Sequence, residues 1–211
     1  MISNDQFEKL VRRKIAGWYS NREYEDKAVS RMEAVRTEII ELLASTKREG
    51  IGNVIDYLDR SGFFYRASSA YKHHNYPGGL AEHSLGTYKL VQAEGVNLGL
   101  PDDSVILAAL LHDTCKSDRF WFKGRLIRQH TPKCEMDGKH SVRSVIILKD
   151  CGLKLNEQER RAIRWHMKAE KYHSRRENEE RDHSKAVKED LWRSVFYADK
   201  RDAAAHSARR H

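Results

Sequence analysis

Proline and cysteine are scarce, with three of each among 211 residues. Cys115, Cys134 and Cys151 are odd in number and none belongs to a CxxC pair, which argues against a disulfide framework and against a zinc ribbon. With so few prolines, and few segments alternating at the two-residue strand period, helix is the expected state of most of the chain. Long apolar runs are missing too. The longest precedes His112 and falls far short of the roughly 20 residues that a spanning helix needs, so no membrane association is expected. The opening residues, MISNDQFEKLVRRK, contain no apolar signal-peptide core, which makes a cytoplasmic location the expectation. No internal repeat is visible.

What is present is charge and helical periodicity. The chain is long enough for one substantial core with a small appendage, and 33% of its residues are charged against 39% hydrophobic. The net charge of +8 favours a phosphate-bearing partner, polymer or nucleotide, without choosing its size. The basic residues are interspersed with acidic ones, so a solvated surface accounts for the charge equally well.

Ser3 and Gln6 have capping-box spacing ahead of an amphipathic segment with Phe7, Leu10, Val11, Ile15 and Trp18. A longer helix is expected from about residue 26 to 47, with Met32, Val35, Ile39, Leu42 and Leu43 on its apolar face. NVIDYLDRSGFF, after Gly50, reads as a short helix running into a turn. The fold class expected is all-α. One exception is FWFKGRLIRQ, residues 120–129, where a Lys-Gly pair between β-favouring runs allows a small hairpin. Residues 168–190 are charged and nearly free of large apolar groups, and are expected to form a solvated excursion or lid.

Five places set a histidine or aspartate against a helical apolar pattern. In HHNYPGGLAEHSLGTYKLV the Pro-Gly-Gly break precedes a helix that carries His83 inward. LPDDSVILAALLHDTCK starts on Pro101 and two aspartates and ends on His112 and Asp113. GKHSVRSVIILKD has His140 at the first turn of an apolar helix. NEQERRAIRWHM has Asn156 and Glu159 at a helix start and places His166 three residues after Ile163. LWRSVFYADKRDAAAH puts Asp199 three residues after Phe196 on an inner stripe. Any one of these groups is most simply a hydrogen-bonded core residue. Five helices of a bundle can instead aim one group each at a common point. Burying Asp113 and Asp199 there without a cation would be costly. Imidazole plus carboxylate, with no thiolate, suits Fe, Mn, Co, Ni or Zn and speaks against a structural zinc site.

The order His83, His112-Asp113, His140, His166, Asp199, at helix-length intervals, resembles the HD-domain superfamily of metal-dependent phosphohydrolases. LAALLHDTCK is similar to the family's apolar-run, His-Asp, two-residue, Lys signature, and YADK to the segment bearing its final aspartate. HHNYPGGLAEHSL is similar to the matching helix of HD proteins that include some 3′–5′ exoribonucleases. The resemblance covers roughly residues 64–205. It implies an HD-domain helical bundle over 64–205; residues 1–63 match no motif and are expected, from the helix reading alone, to form an N-terminal helical extension packed on it, with a tail at 206–211. It also implies His83, His112, Asp113 and Asp199 as ligands of one metal, and His140 and His166 as additional ligands of a second, with Asp113 bridging. The divalent ions implied are Fe, Mn, Co or Ni, with Zn or Mg admissible. Lys116 matches the lysine placed near a substrate phosphate, and Thr114-Cys115 replaces the family's more usual small or apolar pair.

Such a centre activates water and clamps phosphoryl oxygens for in-line attack. Asp113 and Lys116 are the expected catalytic residues, and Lys116, Arg143 and His74 the expected substrate contacts; Arg143 has the bundle surface as its alternative. His73, His74 and Lys72 would line the entrance or form a surface loop, while His130, His173, His183, His206 and His211, in polar contexts, are expected to be exposed. Three functional readings follow. The first is a phosphohydrolase acting on a phosphomonoester or phosphodiester, with a nucleotide or short nucleic acid as partner and room for a homo-oligomer. The second is a di-iron oxygenase, which the same six-ligand set serves in some HD proteins. The third is a non-catalytic nucleic-acid-binding module.

Overall fold

A computed structural model describes residues 1–95, 98–129 and 140–207, with the backbone alone at Gly95 and His140. Among the described residues the regular secondary structure is helical apart from one hairpin, in accord with the all-α reading. The helices are α1 (Asn4–Lys14), α2 (Arg22–Ser45), α3 (Ile51–Ser61), α4 (Gly79–Gly95), α5 (Asp102–Leu111), α6 (His140–Asp150), α7 (Glu157–Trp165), α8 (Glu177–Ala186) and α9 (Asp190–Ser207), with a 3₁₀ turn at Thr114–Lys116. None of them is long and apolar enough to cross a membrane.

α5 is the axis of the core. Every residue from Ser104 to Leu111 is buried, as expected of a helix apolar on all sides. It packs against α2, α4, α7 and α9, and the pairing of α4 with α9 is the most extensive in the molecule. The carboxylates of Asp102 and Asp103 lie in its first turn, where they complement the helix dipole.

α1 begins on the expected capping box, with the Ser3 hydroxyl accepting from Gln6 N and the Gln6 side chain accepting from Ser3 N. α2 starts four residues before the periodicity suggests, because Asn21 Oδ1 accepts from Glu23 N at 2.7 Å and caps the exposed first turn. α1, α2 and α3 are bound together by a buried ion pair. Arg36 Nε donates to Asp59 Oδ1 at 2.8 Å and its Nη2 to Asp59 Oδ2 at 3.0 Å, while its other donors reach Asn4 Oδ1 and the Ile2 carbonyl.

A second joint ties the end of α2 to the start of α7. Asn156 and Glu159 form the expected capping box, and the fully buried Glu159 carboxylate also receives both ends of the Arg48 guanidinium at 2.9 Å and the Ser104 hydroxyl at 2.8 Å.

The hairpin reading holds. β1 (Phe120–Lys123) and β2 (Leu126–Gln129) pair antiparallel with Phe120 opposite Gln129 and Lys123 opposite Leu126. That register leaves Gly124-Arg125 as the turn, and Gly124 takes the φ of 56° that such a turn needs.

The segment 168–190 departs from expectation. It contains α8, in which His183 and Ala186 are buried. His183 packs edge-on between Trp165, Tyr172 and Trp192, and Asp182 accepts from Trp165 Nε1 at 2.8 Å and from Arg160. Partners on α7 and α9 thus supply the burial that the segment's own composition lacks. Of the histidines read as exposed, His173 is exposed, His183 is buried and His206 is half-buried; His130 and His211 lie outside the described residues, as does Cys134.

Candidate metal centre

Five of the six predicted ligands meet in one buried chamber. α4 carries His83, the end of α5 carries His112 and Asp113, the end of α7 carries His166, and α9 carries Asp199. The three imidazoles are fully buried, Asp113 is 1% exposed and Asp199 9%. The His140 side chain lies outside the described residues; its backbone opens α6, which packs on the 3₁₀ turn after Asp113.

His112 and His166 use the same local device. Each is the residue just past its helix, and each places Nδ1 against the carbonyl three residues back, Ala109 O at 2.8 Å and Ile163 O at 2.7 Å. A carbonyl only accepts, so Nδ1 carries the proton, an orphan helix-end carbonyl is satisfied, and Nε2 is left as a lone pair. Trp192 on α9 steadies the second of these ends by donating Nε1–H to the Trp165 carbonyl at 3.0 Å. His83 is fixed differently, with Nδ1 2.7 Å from Asp202 Oδ2.

The inward atoms are spaced as a coordination shell. His83 Nε2 lies 3.4 Å from His112 Nε2 and 3.0 Å from Asp199 Oδ1. Asp113 Oδ2 is 3.4 Å from His112 Nε2 and 3.6 Å from His83 Nε2, whereas Asp113 Oδ1 faces His166 Nε2 at 3.5 Å. With metal–ligand bonds of about 2.1 Å, neighbouring donor atoms stand about 3.0–3.4 Å apart. Asp113 Oδ1 and His166 Nε2 are buried without a hydrogen-bond partner, and the nearest contact of Asp113 Oδ2 is the Lys116 ammonium at 2.6 Å. Buried polar atoms in that condition are rare, and imidazole nitrogens and carboxylate oxygens are donors that a divalent transition metal accepts. The residues present therefore fit a metal. The two Asp113 oxygens face different imidazoles, Oδ2 toward His83 and His112 and Oδ1 toward His166.

The electrostatics are correspondingly tense. Burial disfavours charge on His83, but Asp199 and Asp202 outweigh it and raise the imidazole to about 9. Burial pushes the Asp113 carboxyl up; Lys116, His112 and His166 outweigh that and hold it well below the usual range. Lys116 Nζ stands 2.6 Å from Asp113 Oδ2, so the lysine expected near a phosphate lies directly beside the shared carboxylate. Arg143 is paired with Asp118 at 2.7 Å. His74 is 1% exposed. It is packed against His83, Asp202 and His206, and burial lowers it to about 2. His73 is half-buried with its ring 4.8 Å from that of His83, and Lys72 is exposed.

Two residues essential to this geometry were not anticipated. Asp202 orients His83 across 119 positions of sequence. The available signal was its place three residues after Asp199, on the same face of a helix. Gly86 makes room for it, because a Cβ there would fall 2.1 Å from Asp202 Oδ1; nothing in the local sequence marks that requirement.

Comparison with known proteins gives one positive finding. A family model described as HD domain matches residues 80–204. Neither the curated proteins nor the solved structures yield a match.

Proposed function

Because the chain belongs to the HD domain family, and so to a superfamily of metal-dependent phosphohydrolases, we propose that it hydrolyses a phosphoester of a nucleotide or short oligonucleotide. The observation that carries this reading is the buried convergence of His83, His112, Asp113, His166 and Asp199, in which Asp113 stands 3.4–3.6 Å from the three imidazoles, wider than hydrogen bonds. In the proposal these five hold two divalent ions, with Asp113 shared and His140 completing the second sub-site. When bound, the ions supply Lewis acidity to water and to the phosphoryl oxygens.

The chain's own groups do the rest. The backbone carbonyls of Ala109 and Ile163 and the carboxylate of Asp202 fix the three imidazoles by their outer nitrogens, an arrangement that orients ligands and raises their basicity. Lys116 stays cationic, since Asp113 outweighs the effect of burial on it, and neutralises charge developing on the transferred phosphoryl group. Arg143, held by Asp118, is the second cation assigned to the phosphate. His74 is assigned below to a different task.

The nucleotide preference draws support from a cavity of about 430 Å³ lined by Arg13, Lys14, Arg66, Tyr65, Trp121 and Phe122. Cations for phosphate and aromatic faces for bases are the usual furniture of nucleic-acid clefts. Its wall, the hairpin, starts four residues after Lys116.

A screen of the metal-loaded protein tests the proposal, with nucleoside monophosphates, cyclic dinucleotides, dinucleoside polyphosphates, short RNA and a chromogenic phosphodiester assayed under anaerobic conditions. Turnover of at least one phosphoester, lost in Asp113→Ala, is expected. Substrate-dependent oxygen uptake without anaerobic phosphate-ester cleavage would assign the site to oxygenase chemistry instead.

A further inference from the structure

Behind His83, on the side away from Asp113, three more metal-binding groups converge. His74, Asp202 and His206 each offer a donor atom within 4.8 Å of the other two. His74 Nε2 is buried and has no hydrogen-bond partner. It stands 3.5 Å from Asp202 Oδ2, an oxygen already engaged by His83 Nδ1 at 2.7 Å. His206 Nδ1 donates to the Asp202 carbonyl at 2.9 Å, which leaves Nε2 free to act as a donor atom, and lies 3.6 Å from Asp202 Oδ1. The His74 and His206 rings are 4.1 Å apart between centroids.

A purely structural contact would have closed the gap between His74 and Asp202 to a hydrogen bond of about 2.7–3.0 Å. The 3.5 Å separation of His74 Nε2 from Asp202 Oδ2 matches instead the edge of about 3.4 Å that a tetrahedral ion with 2.1 Å bonds requires. Two imidazoles and a carboxylate are a ligand set for Zn²⁺ or Co²⁺. The backbone holds His74 in place at a φ of +47°, a conformation uncommon outside glycine, through the hydrogen bond from Ser68 N to its carbonyl at 3.1 Å. The His206 side chain is 35% exposed, so the cluster opens to solvent at the far end of α9 and not through the chamber.

We propose that His74, Asp202 and His206 form a second, separate divalent transition-metal site, back to back with the His83 chamber and joined to it through Asp202. An ion there competes with His83 for the charge of the Asp202 carboxylate, so occupancy of the outer site alters how firmly His83 is oriented, and the two sites are thermodynamically coupled. The site does not depend on the phosphohydrolase reading: Asp202 also supports His83, but the outer site is read from metal bound and not from turnover.

The test is metal counting on the full chain. Co²⁺ is titrated into the parent and into a His112→Ala/Asp113→Ala variant, each with and without His206→Ala, and bound metal is measured after gel filtration. One ion per chain is expected to disappear with His206→Ala in both backgrounds. Equal metal counts with and without His206→Ala would overturn the site whatever the assays of phosphoester turnover report. As a gain-of-signal check, His206→Cys should bring a thiolate-to-cobalt absorption band in the ultraviolet, and its absence in the folded, cobalt-loaded variant would also overturn the proposal. Circular dichroism of each variant separates loss of the site from loss of the fold.

Discussion

Arg36–Asp59 and the His83–Asp113 chamber are buried to the same degree, yet they are built on opposite principles. The guanidinium of Arg36 spends four of its five N–H groups, on both oxygens of Asp59, on Asn4 and on the Ile2 carbonyl, and Asp59 Oδ2 accepts additionally from Ile2 N at 3.2 Å. Such a pair is closed: it organises three helices and has no valence left for a guest. The imidazoles of His112 and His166 satisfy only their outer nitrogens, and Asp113 meets the three imidazoles at 3.4–3.6 Å, its one close contact being with Lys116. Burial of charge alone therefore says little about function. The unused coordination that remains after every hydrogen bond has been assigned says much more.

The largest way to break the comparison is Asp113→Ala. Loss of the shared carboxylate should reduce phosphoester turnover by about 10³-fold or more, on the scale of removing a principal transition-state group, with metal retention lost as well. A chelator should lower the melting midpoint of the parent, since a ligand bound only by the folded state stabilises it, and should do so much less in this variant. A variant with normal metal content would refute the assignment.

Asp59→Ala should do the reverse. Stranding the buried guanidinium of Arg36 costs about 3–5 kcal/mol of stability in urea unfolding, with metal stoichiometry and turnover of the remaining folded protein unchanged. A stable Asp59→Ala protein with altered metal binding would erase the distinction between the two clusters.

The smallest effect sharpens the boundary between them. In Gly86→Ala the new methyl carbon would collide with Asp202 Oδ1 and push the carboxylate off His83. A loss of about 10–100-fold in metal affinity is expected, the usual consequence of disturbing a ligand's outer partner. Isothermal titration with Mn²⁺ or Co²⁺ reads it directly, and an unchanged affinity would show that Asp202 does not orient His83.

The helical class and the order of chamber residues were legible because both are local: apolar periodicity names the helices, and His112-Asp113 at the end of the buried run names the chamber. The start of α2 was misread because Asn21 caps a turn with no apolar residue facing the core. The segment 168–190 was misread for a related reason. His183 is buried by Trp165, Tyr172 and Trp192, of which only Tyr172 lies within the segment, and such company cannot be inferred from the segment's polar composition. Asp202 stayed hidden because its partner His83 is distant in sequence and because a lone aspartate near a helix end is unremarkable until the fold brings its neighbours in, and His74, read as a substrate contact, is set against Asp202 and His206 only by the fold. Asp199 and Asp202, three residues apart on one helix, could have been read together.

The joint between Arg48 and Glu159 has a kinetic meaning. Its partners are 111 positions apart, so the contact closes a long loop and its closure entropy opposes early formation. Until Arg48 arrives, burying the Glu159 carboxylate is opposed by its desolvation, so the first turn of α7 cannot settle into the core ahead of α2. His166 sits at the other end of α7, one residue past its last turn. The joint thus links the end of α2 to the element that places His166 in the chamber, so the donor set is complete only where the two halves of the chain are docked.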